Sequence, residues 1–64
     1  MRTNIKFLRR NQNFDLTQEE LAKKLGVSRG TVSQMERGGE ISGTLMLKTA
    51  LFFNKDPREI FFLE

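Results

Sequence analysis

The 64-residue sequence predicts an all-α fold, a compact bundle of five short helices that forms a single domain over residues 1–64. Three observations lead to this fold class. Residues that cap helices recur along the chain, apolar residues follow each cap at helical spacing, and no segment alternates apolar and polar residues over the length of a strand. A chain of this length has room for one small hydrophobic core, so a second domain is not expected.

The first helix is predicted to run from a cap at Thr3 to about Gln12. Apolar residues recur within it at helical spacing. Arg9 and Arg10 lie near its C-terminal end, where positive charge interacts favourably with the helix dipole. A polar segment at residues 11–13 then ends the helix.

The second helix carries the strongest local signal in the sequence. Thr17 and Glu20 are spaced as a capping box, in which each side chain accepts a hydrogen bond from the backbone N–H of the other residue. Leu16 and Leu21 stand at the positions of a hydrophobic staple around this box. Gly26 is expected to end the helix, since glycine readily adopts the left-handed conformation of a C-terminal cap.

A third helix is predicted to follow almost at once, with Ser28 as its cap and Gly38 and Gly39 at its end. The joint from Gly26 to Ser28 is too short for antiparallel helices and forces the two to cross. This is the geometry of a helix-turn-helix unit, whose second helix enters the major groove of DNA. Ala22 is small where the two helices would come closest. A helical hairpin with no DNA-binding role is the alternative, but the combination of small, turn and buried positions favours the DNA-binding motif.

The fourth helix is predicted to start near Ser42 or Thr44 and to end before Asn54. A fifth helix is predicted to begin directly afterwards, with Asp56 as its cap and Pro57 at its first position. Proline suits that position because its missing N–H would have no partner within the helix.

The apolar residues at the C-terminal end predict a homodimer. Residues 60–63 are four consecutive apolar residues, and a helix of about seven residues cannot bury all four side chains against one neighbour. We therefore expect Phe61, Phe62 and Leu63 to form the dimer interface. The alternative is that a small core uses all of these residues.

The basic residues are concentrated in the N-terminal part of the chain. The net charge is +3 and the sequence pI is about 9.8. Residues 1–37 contain eight basic and four acidic residues, whereas residues 38–64 contain three and four. A basic excess around the helix-turn-helix fits a nucleic-acid footprint, and ordinary surface charge is the alternative.

The composition excludes several classes of function. With no cysteine and no histidine, the chain lacks disulfides, the usual ligands of zinc, the commonest general base and the best side-chain nucleophile. We therefore expect no enzymatic activity, no metal site, no cofactor and no small-molecule ligand. No apolar segment has the length of a signal peptide or a membrane span, so we expect a cytoplasmic protein without membrane association.

Four segments carry a resemblance to a known family: TQEELA at 17–22, LGVS at 25–28, VSQMERG at 32–38 and DPREIF at 56–61. In these segments the sequence resembles the Cro/repressor-type (XRE-like) helix-turn-helix family of phage and bacterial regulators. The resemblance covers nearly the whole chain. It implies a five-helix domain of the phage-repressor DNA-binding type that binds operator DNA, commonly as a homodimer.

The third helix carries the predicted base-contacting residues: Arg29, Gly30, Ser33 and Gln34. Arginine can make two hydrogen bonds to guanine and glutamine two to adenine, whereas Ser33 specifies little and Gly30 supplies no side chain. The predicted phosphate-contacting residues lie at the starts of the second and third helices and near the end of the third: Thr17, Gln18, Ser28, Thr31 and Arg37. By resemblance, Gln18 matches a family residue that binds the DNA backbone. Ordinary solvated surface is the alternative for these polar residues.

The resemblance also implies a buried ion pair between Arg9 and Glu36, which would link the first helix to the end of the third. Arg9 would then be a structural residue and not a DNA contact. The connection between the first and second helices is about two residues longer than is usual in the family, which leaves Arg10 as the alternative partner of Glu36.

Together these features predict a DNA-binding transcriptional regulator. We expect a repressor that reads a short palindromic operator on double-stranded DNA through its third helix. The alternative keeps the fold but makes the protein an antitoxin or a protein–protein adaptor. Gly30 and Glu40 favour the alternative, because glycine reads no base and phosphate repels a carboxylate. Gln18, Arg29 and Gln34 oppose it.

Overall fold

The computed structural model describes residues 1–62, which form four α-helices, one 3₁₀ helix and a two-stranded sheet. In chain order the elements are β1 (Arg2–Thr3), α1 (Ile5–Arg10), α2 (Gln18–Leu25), α3 (Arg29–Glu36), α4 (Gly43–Phe53), the 3₁₀ helix (Pro57–Glu59) and β2 (Phe61–Phe62). The prediction of a mostly helical domain is confirmed, but the prediction of five α-helices was wrong. The helices within residues 1–62 do not reach the length and apolar character that a membrane span requires.

The capping box at the start of α2 is confirmed. The N–H of Glu20 donates to Thr17 Oγ1 over 3.1 Å, and the N–H of Thr17 donates to Glu20 Oε1 over 2.9 Å. At the other end of α2, Gly26 adopts the left-handed conformation with a φ of 73°. The sequence therefore predicts both ends of α2 correctly, because each end depends on residues that lie next to it in the chain.

The joint between α2 and α3 consists of residues 26–28. Directly after the glycine, the N–H of Val27 donates to Ala22 O over 2.9 Å, which ties the joint back to α2. Ser28 then caps α3, since its Oγ accepts a hydrogen bond of 3.2 Å from the N–H of Thr31. The end of one helix and the start of the next are thus both fixed by local hydrogen bonds.

The hydrophobic core draws on all four α-helices. Its fully buried or nearly buried apolar residues are Ile5, Leu8, Leu21, Ala22, Leu25, Val32, Met35, Ala50, Phe53 and Ile60. Phe14, in the connection between α1 and α2, closes one side of this core against Phe53 of α4, with ring centroids 5.0 Å apart in an edge-to-face arrangement. The core holds α2 and α3 in a fixed relation to α1 and α4.

The predicted fifth α-helix is a single 3₁₀ turn followed by a strand. Asp56 and Pro57 take the predicted cap and first position, but the helix ends at Glu59. Ile60 then enters the core with no exposed surface, and the next two residues form β2. The capping signal specifies only where a helix begins. Phe61 and Phe62 continue as a strand, in which Phe61 packs on the edge of the core while its backbone pairs with β1.

The start of the chain also differs from the prediction, because it pairs with β2 in the sheet. Thr3, the predicted cap of the first helix, lies in β1 and pairs with Phe61 in the antiparallel sheet. Asn4 is the residue that precedes α1, and its backbone N–H donates to Ile60 O over 3.1 Å. The hydroxyl of Thr3 donates to Met35 O over 3.3 Å, so β1 also contacts the end of α3.

The first α-helix ends at Arg10, two residues before the predicted end at Gln12. Asn11 has extended backbone angles, with φ −60° and ψ 145°. Its side-chain Oδ1 accepts a hydrogen bond of 3.0 Å from the N–H of Asn13. Asparagine side chains compete with helical hydrogen bonds in this way, so the polar segment turns the chain earlier than its apolar spacing suggested.

We expect the capping box to make stability depend on acid pH through Glu20. The backbone N–H of Thr17, followed by its side chain, holds the pKa of the Glu20 carboxyl below its usual value. The ionised carboxylate therefore stabilises the folded chain above the usual glutamate pKa, and this contribution is lost as the pH falls through the lowered pKa. Glu20→Gln keeps a capping box but cannot titrate.

The measurement is the thermal unfolding midpoint of the wild type and Glu20→Gln from neutral pH down to below the usual glutamate pKa. The wild-type midpoint should fall more steeply on acidification. Glu19→Gln, a change of the same chemistry in the same helical turn but outside the capping box, is the matched control and should follow the wild type. Identical pH profiles for the wild type and Glu20→Gln would contradict this assignment.

Candidate nucleic-acid interface

The candidate interface is the outward face of α3 together with the start of α2. Val32 and Met35 of α3 are fully buried, so the opposite face of this helix is directed outward. The predicted base-contacting residues lie on that outward face: Arg29, Gly30, Ser33 and Gln34. Ser33 is half-buried and the other three are exposed. The face is therefore polar, accessible and backed by a packed core.

The predicted phosphate-contacting residues are all at least partly accessible: Thr17, Gln18, Ser28, Thr31 and Arg37. The hydroxyls of Thr17 and Ser28 are already used as helix caps, and Ser28 Oγ lies 3.0 Å from Thr31 Oγ1. Arg37 is exposed at the end of α3. At the starts of α2 and α3, the remaining backbone N–H groups of the first turn are the groups that can bind an anion.

A buried ion pair joins α1 to α3. Arg9 Nε lies 2.7 Å from Glu36 Oε2, and Arg9 Nη2 donates to Glu36 Oε1 over 3.3 Å. Each side chain is only 7% exposed. Arg9 Nη1 also donates to Leu16 O over 2.9 Å, just before α2. The structure thus brings Glu36 together with Arg9, whereas the alternative partner, Arg10, is exposed.

Gln18 connects this ion pair to the first residue of α3. Its Nε2 donates to Glu36 Oε1 over 3.0 Å, and its Oε1 accepts a hydrogen bond of 3.4 Å from Arg29 Nη1. A predicted phosphate contact and a predicted base contact therefore touch each other. The hydrogen bonds run from the buried Arg9 to the exposed guanidinium of Arg29, so they limit the directions that both surface side chains can take.

Two contacts around the helix-turn-helix were not predicted from the sequence. Lys48 of α4 donates from Nζ to Leu25 O over 3.3 Å, where a cation interacts favourably with the C-terminal end of α2. Gln34 donates from Nε2 to Glu40 O over 3.3 Å, in the segment that follows α3. Neither contact follows the spacing of a single helix, so no helical spacing rule could have indicated them.

The predicted dimer residues lie in and after β2. Phe61 is half-buried and Phe62 is 39% exposed, while Leu63 lies outside the described residues. The argument that placed these residues on a short helix was wrong, because Phe61 and Phe62 form a strand. The dimer hypothesis therefore rests on the exposed surface of Phe61 and Phe62 and no longer on a helical arrangement.

The fold and this surface together define a class of protein. Two helices are joined by a short turn in which Gly26 takes the left-handed conformation, and the second helix has a polar outward face. This arrangement is a helix-turn-helix domain. A family model described as helix-turn-helix matches residues 5–60, which is most of the chain. The chain therefore belongs to the XRE-type helix-turn-helix family.

Two archaeal relatives agree with this membership. The chain is 45% identical over 65 aligned positions to an uncharacterised HTH-type transcriptional regulator of Methanocaldococcus jannaschii, and the match covers 100% of this chain and 96% of the relative. It is 43% identical over 65 positions to an uncharacterised HTH-type transcriptional regulator of Archaeoglobus fulgidus, with 100% of this chain and 89% of the relative covered. The similarity thus extends over the ends of the chain as well as the helix-turn-helix.

We expect Arg9→Ala to destabilise the fold more than it changes DNA binding. Removing the guanidinium leaves the Glu36 carboxylate buried without its cation, which costs about 3–5 kcal/mol of unfolding free energy. Chemical denaturation measures this loss. Arg10→Ala, an exposed neighbour on the same helix, is the control and should change stability by less than about 0.5 kcal/mol.

The salt dependence of DNA binding provides the second measurement for the same pair of variants. A residue that contacts phosphate contributes to the slope of affinity against salt concentration, because its binding releases counterions. Arg9→Ala should leave this slope close to that of the wild type. A reduced slope with unchanged stability would instead make Arg9 a phosphate ligand.

Proposed function

We propose that this protein is a sequence-specific DNA-binding transcription regulator that represses its target by occupying a short palindromic operator. Family membership and the relatives' names support a DNA-binding regulator. The single observation that carries the proposal is the outward face of α3. It presents Arg29 and Gln34 to solvent on a helix whose opposite face is fully buried.

The chemistry of this face suits the major groove. An arginine guanidinium donates two hydrogen bonds to the O6 and N7 of guanine, and a glutamine amide both accepts from and donates to adenine. Arg29 lies at the first position of α3 and Gln34 lies five residues later, so the two side chains reach different base pairs. Ser33 and Gly30 between them allow close approach, because neither carries a bulky side chain.

Binding to the DNA backbone would orient α3. In this proposal Gln18 and the first N–H groups of α2 contact one phosphate, and Ser28, Thr31 and the first N–H groups of α3 contact another. Arg37 adds a positive charge at the far end of α3. These contacts set register and affinity but do not select a sequence.

Repression needs no contact besides the operator. A protein that covers a promoter blocks it by occupancy, whereas an activator needs a further surface that contacts the transcription machinery. The residues that we propose as DNA contacts all lie on or beside α2 and α3, and the proposal assigns no further surface to the transcription machinery.

Selection of bound sequences from a random duplex pool, at a stated salt concentration, tests the proposal directly. The wild type should enrich one short sequence. Arg29→Ala should then lose about 1–3 kcal/mol on that sequence and relax preference at one base pair. Lys55→Ala, which removes an exposed cation after α4, is the matched control and should keep the wild-type profile.

An equal loss by Arg29→Ala on selected and random DNA would make Arg29 a phosphate contact. If the wild type enriches no sequence, the reader function itself is wrong.

We also propose that the operator is bound by a homodimer that forms at the C-terminal end of the chain. Phe62 is the exposed aromatic residue of β2, and together with Phe61, Met1 and Met46 it lines an apolar groove. A two-fold dimer would present two copies of α3 to half-sites one helical turn apart, which matches a palindromic operator.

Sedimentation over a range of concentrations tests the dimer with Phe62→Glu. A charge in the interface should give a folded monomer and should weaken operator binding sharply. Leu51→Glu is the matched comparison, because Leu51 on α4 is 81% exposed and lies outside the proposed interface. A monomeric wild type at high micromolar concentration, both free and on DNA, would remove the dimer from the proposal.

A second candidate function is a protein-binding module on the same fold, such as an antitoxin or an adaptor. The observation that favours it is the pair of exposed leucines on α4, Leu47 at 58% and Leu51 at 81% exposure. These residues are four apart and so lie on one face of the helix. The absence of any selected DNA sequence, together with an intact fold, would favour this candidate.

A further inference from the structure

The side chain of Gln34 lies directly over Gly39. A Cβ atom built on Gly39 would stand 2.6 Å from Gln34 Cγ and 3.2 Å from Gln34 Nε2, and the first of these distances is closer than real Cβ contacts allow. The glutamine amide continues past the glycine and donates to Glu40 O over 3.3 Å. Gln34 is therefore exposed on the outward face of α3, and a hydrogen bond directs its side chain across the turn.

The segment that holds Gln34 has a path fixed by the end of α3. The N–H of Gly38 donates to Met35 O over 3.0 Å, and the N–H of Gly39 donates to Gln34 O over 2.9 Å. These two hydrogen bonds form a Schellman motif, in which Gly38 takes the left-handed conformation with a φ of 79°. A Cβ on Gly38 would also overlap the carbonyl of Met1, so the turn is enclosed on a second side.

The hydrogen bond to Glu40 leaves the amide able to read a base. The amide group of glutamine has two N–H donors and a carbonyl oxygen, and Glu40 O takes one of the donors. One N–H and the oxygen remain, which are the two groups that adenine requires at N7 and N6. Holding the side chain before binding lowers the conformational entropy that it loses on the operator.

We propose that Gly39 is a positioning residue for base readout: the absence of a side chain at Gly39 lets Gln34 lie across the turn and directs its amide to one base pair. This inference rests on the proposed DNA-binding function. It assigns Gly39 a role in specificity besides that of ending α3. Its φ lies outside the left-handed region, so the backbone would accept alanine and the main obstacle is the Gln34 side chain.

The experiment compares four proteins in a double-mutant cycle: wild type, Gly39→Ala, Gln34→Ala and the double variant. The quantity measured is the ratio of dissociation constants for the selected operator and for duplexes changed at the base pair that Gln34→Ala relaxes. This ratio does not depend on the fraction of protein that is folded, because both duplexes meet the same protein. Gly39→Ala therefore stays informative even if it lowers stability.

The cycle separates an effect through Gln34 from a general disturbance of the turn. Truncation of Gln34 to alanine removes the Cγ that a new Cβ would meet, whereas the 3.2 Å approach to the backbone O of residue 34 is the same in both backgrounds. Gly43→Ala is the matched control, because a Cβ at Gly43 meets nothing within 4 Å.

We expect Gly39→Ala to lower the preference ratio about tenfold, towards the ratio of Gln34→Ala, and to leave it unchanged when Gln34 is already alanine. Gly43→Ala should keep the wild-type ratio. An unchanged ratio in Gly39→Ala overturns the inference, and so does an equal fall in both backgrounds. A wild type without preference at any base pair overturns the proposed function instead, so the two failures are distinguishable.

Discussion

The buried contact between Arg9 and Glu36 is the interaction on which the arrangement of the first three helices depends. Both side chains are almost completely removed from water, so their charges must be satisfied within the protein. Arg9 Nη1 donates to Leu16 O, and Glu36 accepts a further hydrogen bond from Gln18. One ion pair thus relates α1, the entry to α2 and the end of α3. Packing arrangements that separated the two side chains would leave a buried charge without a partner and are therefore disfavoured.

This network and the turn after α3 restrict the polar side chains of the candidate interface. Arg29 and Gln18 are joined by a hydrogen bond, and Gln34 is held on Glu40 O. A surface made of long polar side chains usually loses much conformational freedom when it binds. Here the free protein already restricts three of those side chains. In a domain of 64 residues, that order is supplied by contacts between neighbouring elements and not by a large core.

The sequence predicted the central part of the molecule well, because its signals act over a few residues. The capping box sets the start of α2, and Gly26 in the left-handed conformation sets its end. Both depend on residues no more than four positions apart in the chain. The prediction of a C-terminal α-helix failed because Asp56 and Pro57 specify where a helix starts but not how many residues it contains. Its length was decided by pairing with a strand at the other end of the chain.

The candidate site was predictable only in part, for a related reason. Helical spacing correctly placed Arg29 and Gln34 on one outward face. Family resemblance supplied the pairing of Arg9 with Glu36, which residue spacing could not have selected over Arg10. The path of Gln34 across Gly39 was not predictable, since it depends on which rotamer the glutamine takes over a turn whose glycines indicated only the end of a helix.

The sheet that joins the two chain ends has a consequence for folding kinetics. Helical turns form from contacts close in sequence, whereas pairing β1 with β2 requires closure of nearly the whole chain, and loop closure grows more costly with length. The sheet is therefore expected to assemble after the helices and to open before them. Met1 lies against Gly38 and Thr3 donates to Met35 O, so opening of the sheet would also remove contacts from the end of α3.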